Sequence, residues 1–177
     1  MTDEDFMRLA IDKARDGMRL GQTPFAAAIV KAGELISCAH NIVWATTDIT
    51  AHAEVTAIRE ACAALGDIDL AGSTIYSTCE PCPMCFAACH WARIQRIVYG
   101  ADIKDARAAG FNELALSNSQ FKELTGIQVE IVPGLLANES RKPNDYQKGR
   151  NQSGQNMQQD DDGIKQIRLR EGVQVHG

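Results

Sequence analysis

Two short segments, well separated in the chain, carry residue types that a fold must bring together. The first is Ala51-His52-Ala53-Glu54-Val55, and the second is Cys79-Glu80-Pro81-Cys82-Pro83-Met84-Cys85. Cysteines at i and i+3 share one face of a helix. Pro81 suits a loop-to-helix junction and Pro83 the first helical turn. The thiols of Cys82 and Cys85 then sit at the positive end of that helix, which lowers thiol pKa and favours a metal. Alone, this pair reads equally as a redox couple or two buried thiols. His52 adds a third N/S donor, the number that a catalytic zinc takes while keeping one position open. Glu54 is then free to move protons. Cys79 is a possible fourth ligand, which would make the zinc structural instead.

The cysteine distribution supports a metal over a disulfide framework, since four of the six fall between Cys79 and Cys89. The acidic start Met1-Thr2-Asp3-Glu4-Asp5 has no apolar run behind it, as a signal peptide would, and no run approaches membrane-spanning length. A cytoplasmic protein without a membrane partner is the expectation. Net charge is −5. From Asn138 on there are seven basic and six acidic residues, so the segment before it holds eleven basic and seventeen acidic. An acidic body makes a nucleic-acid partner unlikely on electrostatic grounds.

Periodicity predicts an α/β chain. Phe6, Ala10, Ala14 and Met18 mark a helix over 5–20, with Gly17 weakening its last turn. Phe25–Val30 and Leu35–Ala39 read as a hairpin around Gly33, and 41–50 as a polar loop. A second helix runs over 52–65, with Thr50 as N-cap and Gly66 as stop. Strand Thr74–Thr78, helix Cys82–Arg93 and strands Ile97–Gly100 and Ile127–Val132 follow. The stretch 102–118 is part helix and part loop, and a short helix is possible after Pro133-Gly134. Two regions are expected: a domain over 1–137, and a polar, disordered tail over 138–177 whose composition cannot offset the entropy of ordering. Ile164–Val175 reads either as an added strand or as nothing ordered.

Joined in order, His52-x-Glu54 and Pro81-Cys82-x-x-Cys85 match the zinc deaminase signature. The chain resembles the cytidine/deoxycytidylate deaminase superfamily from about residue 6 to 136. Asp48–Arg59, Ser77–Cys85, Trp91-Ala92-Arg93 and Ala109-Gly110-Phe111 are similar to the bacterial guanine deaminase branch. The tRNA-specific adenosine deaminases share Thr50–Glu54 and Glu80-Pro81-Cys82. The resemblance implies a three-layer α-β-α sandwich around a central mixed sheet, with the metal at the facing starts of the second and third helices. It implies Zn2+ on His52, Cys82 and Cys85, with Glu54 transferring protons during hydrolytic deamination. It also implies substrate contacts from Asn41, Phe25, Ala53, Asn112, Glu113 and Trp91. Phe25 is equally a core strand residue. Glu113 would either bind a purine or shuttle a proton, and Trp91 would either cap a partner's pocket or fill an interface. Asn112 stands where guanine deaminases typically carry an acid, and no aromatic C-terminal closing segment is present. The expected reaction is guanine to xanthine plus ammonia, by a homodimer acting on a small nucleobase or nucleoside. The alternatives are adenosine-to-inosine editing of tRNA, cytosine deamination, and a catalytically inactive partner subunit.

Overall fold

The computed structural model describes residues 1–141. Most of the expected tail, including Ile164–Val175, lies outside the described residues.

Helix α1 (Asp3–Arg19) begins two residues before the apolar periodicity suggests, because Thr2 and Asp5 form a reciprocal capping box. Asp3, Glu4 and Asp5 in its first turn and Arg19 in its last complement the helix dipole. The hairpin follows as β1 (Ala26–Lys31) and β2 (Glu34–His40), with Gly33 at φ 80° in the turn. The loop read over 41–50 contains one extra turn of helix, α2 (Val43–Thr46). The chain continues as α3 (Ala53–Leu65), β3 (Ser73–Cys79), α4 (Pro83–Trp91), β4 (Arg96–Ala101), α5 (Ile103–Ala108), α6 (Asn118–Thr125), β5 (Glu130–Val132) and α7 (Ala137–Ser140).

The sheet order is β2-β1-β3-β4-β5. β1 pairs antiparallel with β2 and β3, whereas β3–β4 and β4–β5 are parallel, so the expected mixed sheet is present. Side chains alternate across it, as strand geometry requires. Ala27, Ile29, Ile75 and Ile97 face α3 and α4 in one core, while Ala28, Val30, Tyr76 and Val98 meet Phe6, Met7, Ala10 and Ile11 of α1 in the other. Leu135 and Leu136 pack on the α1 side and Phe121 of α6 on the opposite side, which completes the three layers. Asp3 joins α1 to the sheet. It accepts two bonds from Arg96 at 3.1 and 2.7 Å and one from the Tyr76 hydroxyl at 2.7 Å.

Several expected boundaries move. Thr50 does not cap α3: its N–H and hydroxyl both donate to Asp48, and His52 occupies the N-cap. β5 is shorter than expected, with only Glu130, Ile131 and Val132 in register with β4. The stretch 102–118 resolves into α5 and an irregular segment over 109–117. The helix α6 beyond it was not expected, although Ser117-x-x-Gln120 is a capping box readable in the sequence. α7 spans the expected boundary at 137, and Arg141 pairs with Asp105 at 2.5 Å.

Gly17 is no flaw in α1. A Cβ there would stand 2.7 Å from Cγ and 2.9 Å from Cβ of His40, the residue preceding Asn41. Helix propensity alone favours Gly17→Ala by about 1 kcal/mol. The clash reverses that sign, and urea unfolding of Gly17→Ala is expected to show a net loss of about 1–3 kcal/mol. A stabilised variant would refute this account of the contact.

Candidate active site

α3 and α4 start at the same end of the sheet, and their N-caps are His52 and Cys82. Their backbones nearly match, at φ −63°, ψ 158° and φ −63°, ψ 165°. N-cap side chains ordinarily turn back onto their own helix. Neither does so here. Both point toward each other and toward Cys85, one turn into α4. His52 Nδ1 lies 3.7 Å from Cys82 Sγ and 3.5 Å from Cys85 Sγ. All three donor atoms lie within 4.8 Å of one another, and among the described residues this is the one cluster able to hold a metal. A tetrahedral zinc, with Zn–S about 2.3 Å and Zn–N about 2.0 Å, separates its sulfur and nitrogen ligands by roughly 3.6 Å. The donor set therefore fits zinc. Cys79 is excluded as a fourth ligand, since its thiol turns toward Asp102 O at 3.8 Å.

The three donors share their protons unequally. The neighbouring Cys85 and His52 pull the Cys82 thiol down to about 4, against the opposing effect of burial. The Cys82 sulfur, and then burial, push the Cys85 thiol well up. The bond to Cys82 holds the His52 imidazole above its usual range.

Glu54, in the first turn of α3, is 7% exposed. Its Oε1 accepts from the Ser77 hydroxyl at 3.2 Å and its Oε2 from the Cys85 thiol at 3.4 Å. Burial, and then the neighbouring Cys82 charge, raise its pKa. The carboxyl thus has a fixed orientation and a raised proton affinity, as an acid–base group requires.

These groups line a cavity of about 340 Å³ that also takes in Phe25, Asn41, Asn112 and Glu113. Asn41 is buried and fixed by its backbone. Its N–H donates to Phe25 O at 2.9 Å, and its Oδ1 accepts from Val43 N–H at 3.0 Å. That assignment leaves the Asn41 NH2 as the donor for the cavity. The Phe25 ring meets Phe111 edge-on at 4.8 Å. It packs against core residues while lining the cavity. Glu113 is half-buried, and its pKa is raised by burial and then by the Cys82 charge.

Ala53 and Trp91 do not line this cavity. Ala53 is fully buried in the core beneath α3. Trp91 is 79% exposed at the far end of α4, where its ring meets His90 at 5.2 Å. Conversely, Thr23, Val43, Trp44, Ile49 and Phe111 line the cavity without having been singled out as site residues. Trp44 and Ile49 are large apolar residues in a polar loop, a recognisable sign of a binding wall. A second concavity of about 230 Å³, beside Phe86, Cys89, His90 and Arg93, contains no carboxylate and none of the metal donors.

The profile of the cytidine and deoxycytidylate deaminase zinc-binding region matches residues 1–101. The chain belongs to this family. It is a zinc-binding deaminase. It is 46% identical to the guanine deaminase of Bacillus subtilis over 114 residues, covering 64% of this chain and 73% of that protein. It is 39% identical to the tRNA-specific adenosine deaminase of the same organism over 137 residues, covering 77% and 83%. The solved guanine deaminase of Nitrosomonas europaea superposes with a TM-score of 0.73 at 27% identity, covering 85% of this chain and 84% of that one. The mixed sheet and the paired helix starts are those of a cytidine deaminase-like sandwich. Among the described residues, no helix of this deaminase is long and apolar enough to cross a membrane.

The ligand geometry gives a direct check. Metal analysis is expected to find about one zinc per chain in the wild type and in Cys79→Ala, and strongly reduced zinc in Cys82→Ala and Cys85→Ala. Full occupancy in either of the latter two would refute the ligand set.

Proposed function

We propose that this chain hydrolyses the amino group of a purine base, converting guanine and water to xanthine and ammonia. The observation that carries this reading is Glu113 in the same cavity as Glu54 and the metal donors. Guanine presents two adjacent donors, its ring N1–H and its 2-amino group, and a carboxylate offers two acceptor oxygens to match them. Adenine has no such pair. The identity with a guanine deaminase over 114 residues supports the same choice.

Each residue then has a task. Phe25 covers one face of the base, and the Asn41 NH2 donates to a ring or carbonyl acceptor. When bound, zinc on His52, Cys82 and Cys85 lowers the pKa of a water toward neutrality. Glu54 accepts a proton from the attacking water and delivers it to a ring nitrogen. It then assists protonation of the amine, which leaves as ammonia. The Ser77 hydroxyl keeps the Glu54 carboxyl aimed during both transfers. The same reading includes a homodimer, for which the exposed Trp91 offers an apolar anchor.

Editing of adenosine to inosine in tRNA is the second reading, favoured by the relative that is 39% identical over a longer span. The net charge of −5 and the carboxylates of Glu54, Glu80 and Glu113 around one cavity weigh against a polyanion. Cytosine lacks the second ring, and an inactive subunit would have no use for the buried Glu54.

Ammonia release from guanine, guanosine, adenine, cytosine and a tRNA anticodon stem decides among these. Guanine is expected to be turned over, and activity confined to the RNA would overturn the assignment. Glu54→Gln is expected to keep zinc and lose about 10²–10⁴-fold in kcat/KM. Glu113→Gln is expected to raise KM for guanine about tenfold with zinc retained. An unchanged KM would remove Glu113 from substrate recognition.

A further inference from the structure

One buried carboxylate has no part in the chemistry above. Glu80 stands two residues before Cys82 and is 5% exposed. Its Oε2 accepts from the Ile103 N–H at 3.0 Å, and its Oε1 accepts from the Asn118 N–H at 2.7 Å. Ile103 is the first residue of α5 and Asn118 the first of α6. The irregular segment 109–117, which carries Phe111, Asn112 and Glu113, runs between those two helices. The span from Ile103 to Asn118, which is α5 together with this cavity wall, is therefore attached at both ends to one side chain. A further bond reinforces the attachment: Asn118 Nδ2 donates to Pro81 O at 2.6 Å, next to the ligand Cys82. The Glu80 N–H donates to Ala101 O at 2.8 Å, which fixes the carboxylate's own backbone to β4.

The residue type matters here. Helix starts present N–H groups that have no partner within the helix, and a carboxylate has an oxygen for each of two of them. An amide has one acceptor end, and its NH2 end would face a second N–H. Asp102 and Ser117, the N-caps of α5 and α6, form their own local capping boxes with Asp105 and Gln120. Glu80 is thus not needed to start either helix. What it adds is a link between them and the metal-bearing loop.

We propose that Glu80 is a positioning residue that holds the 109–117 wall at a set distance from the His52–Cys82–Cys85 site, and thereby controls substrate affinity. The kinetic part of this proposal rests on the purine deaminase reading, whereas the structural part does not. Glu80→Gln leaves the length and shape of the side chain unchanged while removing one of the two accepted bonds. In the full chain, zinc is expected to stay near one per molecule. Backbone hydrogen exchange is expected to quicken at 109–117 and at the starts of α5 and α6, and not in β1 or β3. KM for guanine is expected to rise about tenfold, with a smaller fall in kcat. Asn118→Ala cuts the link to Pro81 without altering a carboxylate, and is expected to quicken exchange over the same residues. It provides the same test if Glu80→Gln does not fold.

Unchanged exchange at 109–117 in both variants would overturn the proposal. So would loss of zinc with 109–117 still protected, because Glu80 would then serve the metal loop alone. A purely stabilising role would lower the melting temperature without moving KM, and that result also counts against it. If the wild type does not act on guanine, while both variants keep zinc and loosen 109–117, the positioning role stands and the substrate assignment falls.

Discussion

The structure depends on two helix starts facing each other across one small volume. His52 and Cys82 share nearly the same extended N-cap backbone, and each turns its side chain away from its own helix. The capping bonds forgone there cost about 1 kcal/mol each. Bringing two positive helix ends together is also unfavourable unless negative charge lies between them. The depressed Cys82 thiol supplies that charge. Metal donors and helix dipoles therefore support one another at this place.

Three carboxylates around the cavity differ through their surroundings. Glu54 is buried and bonded to a hydroxyl and a thiol, partners that tolerate both of its protonation states. Glu80 accepts from two backbone N–H groups, one on each oxygen. Glu113 is half-buried on an irregular segment, with no helix start to neutralise it. Proton transfer, positioning and recognition can thus be divided among identical side chains by what each is bonded to.

What the sequence revealed follows the same division. The ligands and Glu54 were legible because their chemistry constrains spacing within one helical turn: His52 with Glu54, and Cys82 with Cys85. The alternation of Ala27, Ala28, Ile29 and Val30 between two cores is masked in the sequence, since a strand buried on both faces is apolar throughout. Asn41 and Phe25 were suggested by the family resemblance, and both line the cavity with the metal donors. Glu80 and Asn118 were not legible as a pair. Their bond joins residues 38 apart, and no local pattern marks a carboxylate that closes on two later helices. Trp91 is a different case: its expected contact is with a partner subunit, and at the end of α4 the ring is exposed in the single chain.

The arrangement separates a rigid engine from an adjustable wall. His52, Glu54, Cys82 and Cys85 are mounted on the ends of regular elements packed into one core. Phe111, Asn112 and Glu113 lie on a segment with no regular structure, between α5 and α6, whose first residues Ile103 and Asn118 are both bonded to Glu80. On the proposed reading, substitutions within that segment would alter which base fits, while the helices anchoring it keep their own capping boxes. This is consistent with a family whose members carry names as different as guanine deaminase and tRNA-specific adenosine deaminase at 46% and 39% identity to a single chain. Overall identity is then a weak guide to substrate. The more informative quantity is the chemistry of the few side chains between α5 and α6, where this chain places an amide and a carboxylate opposite the metal donors.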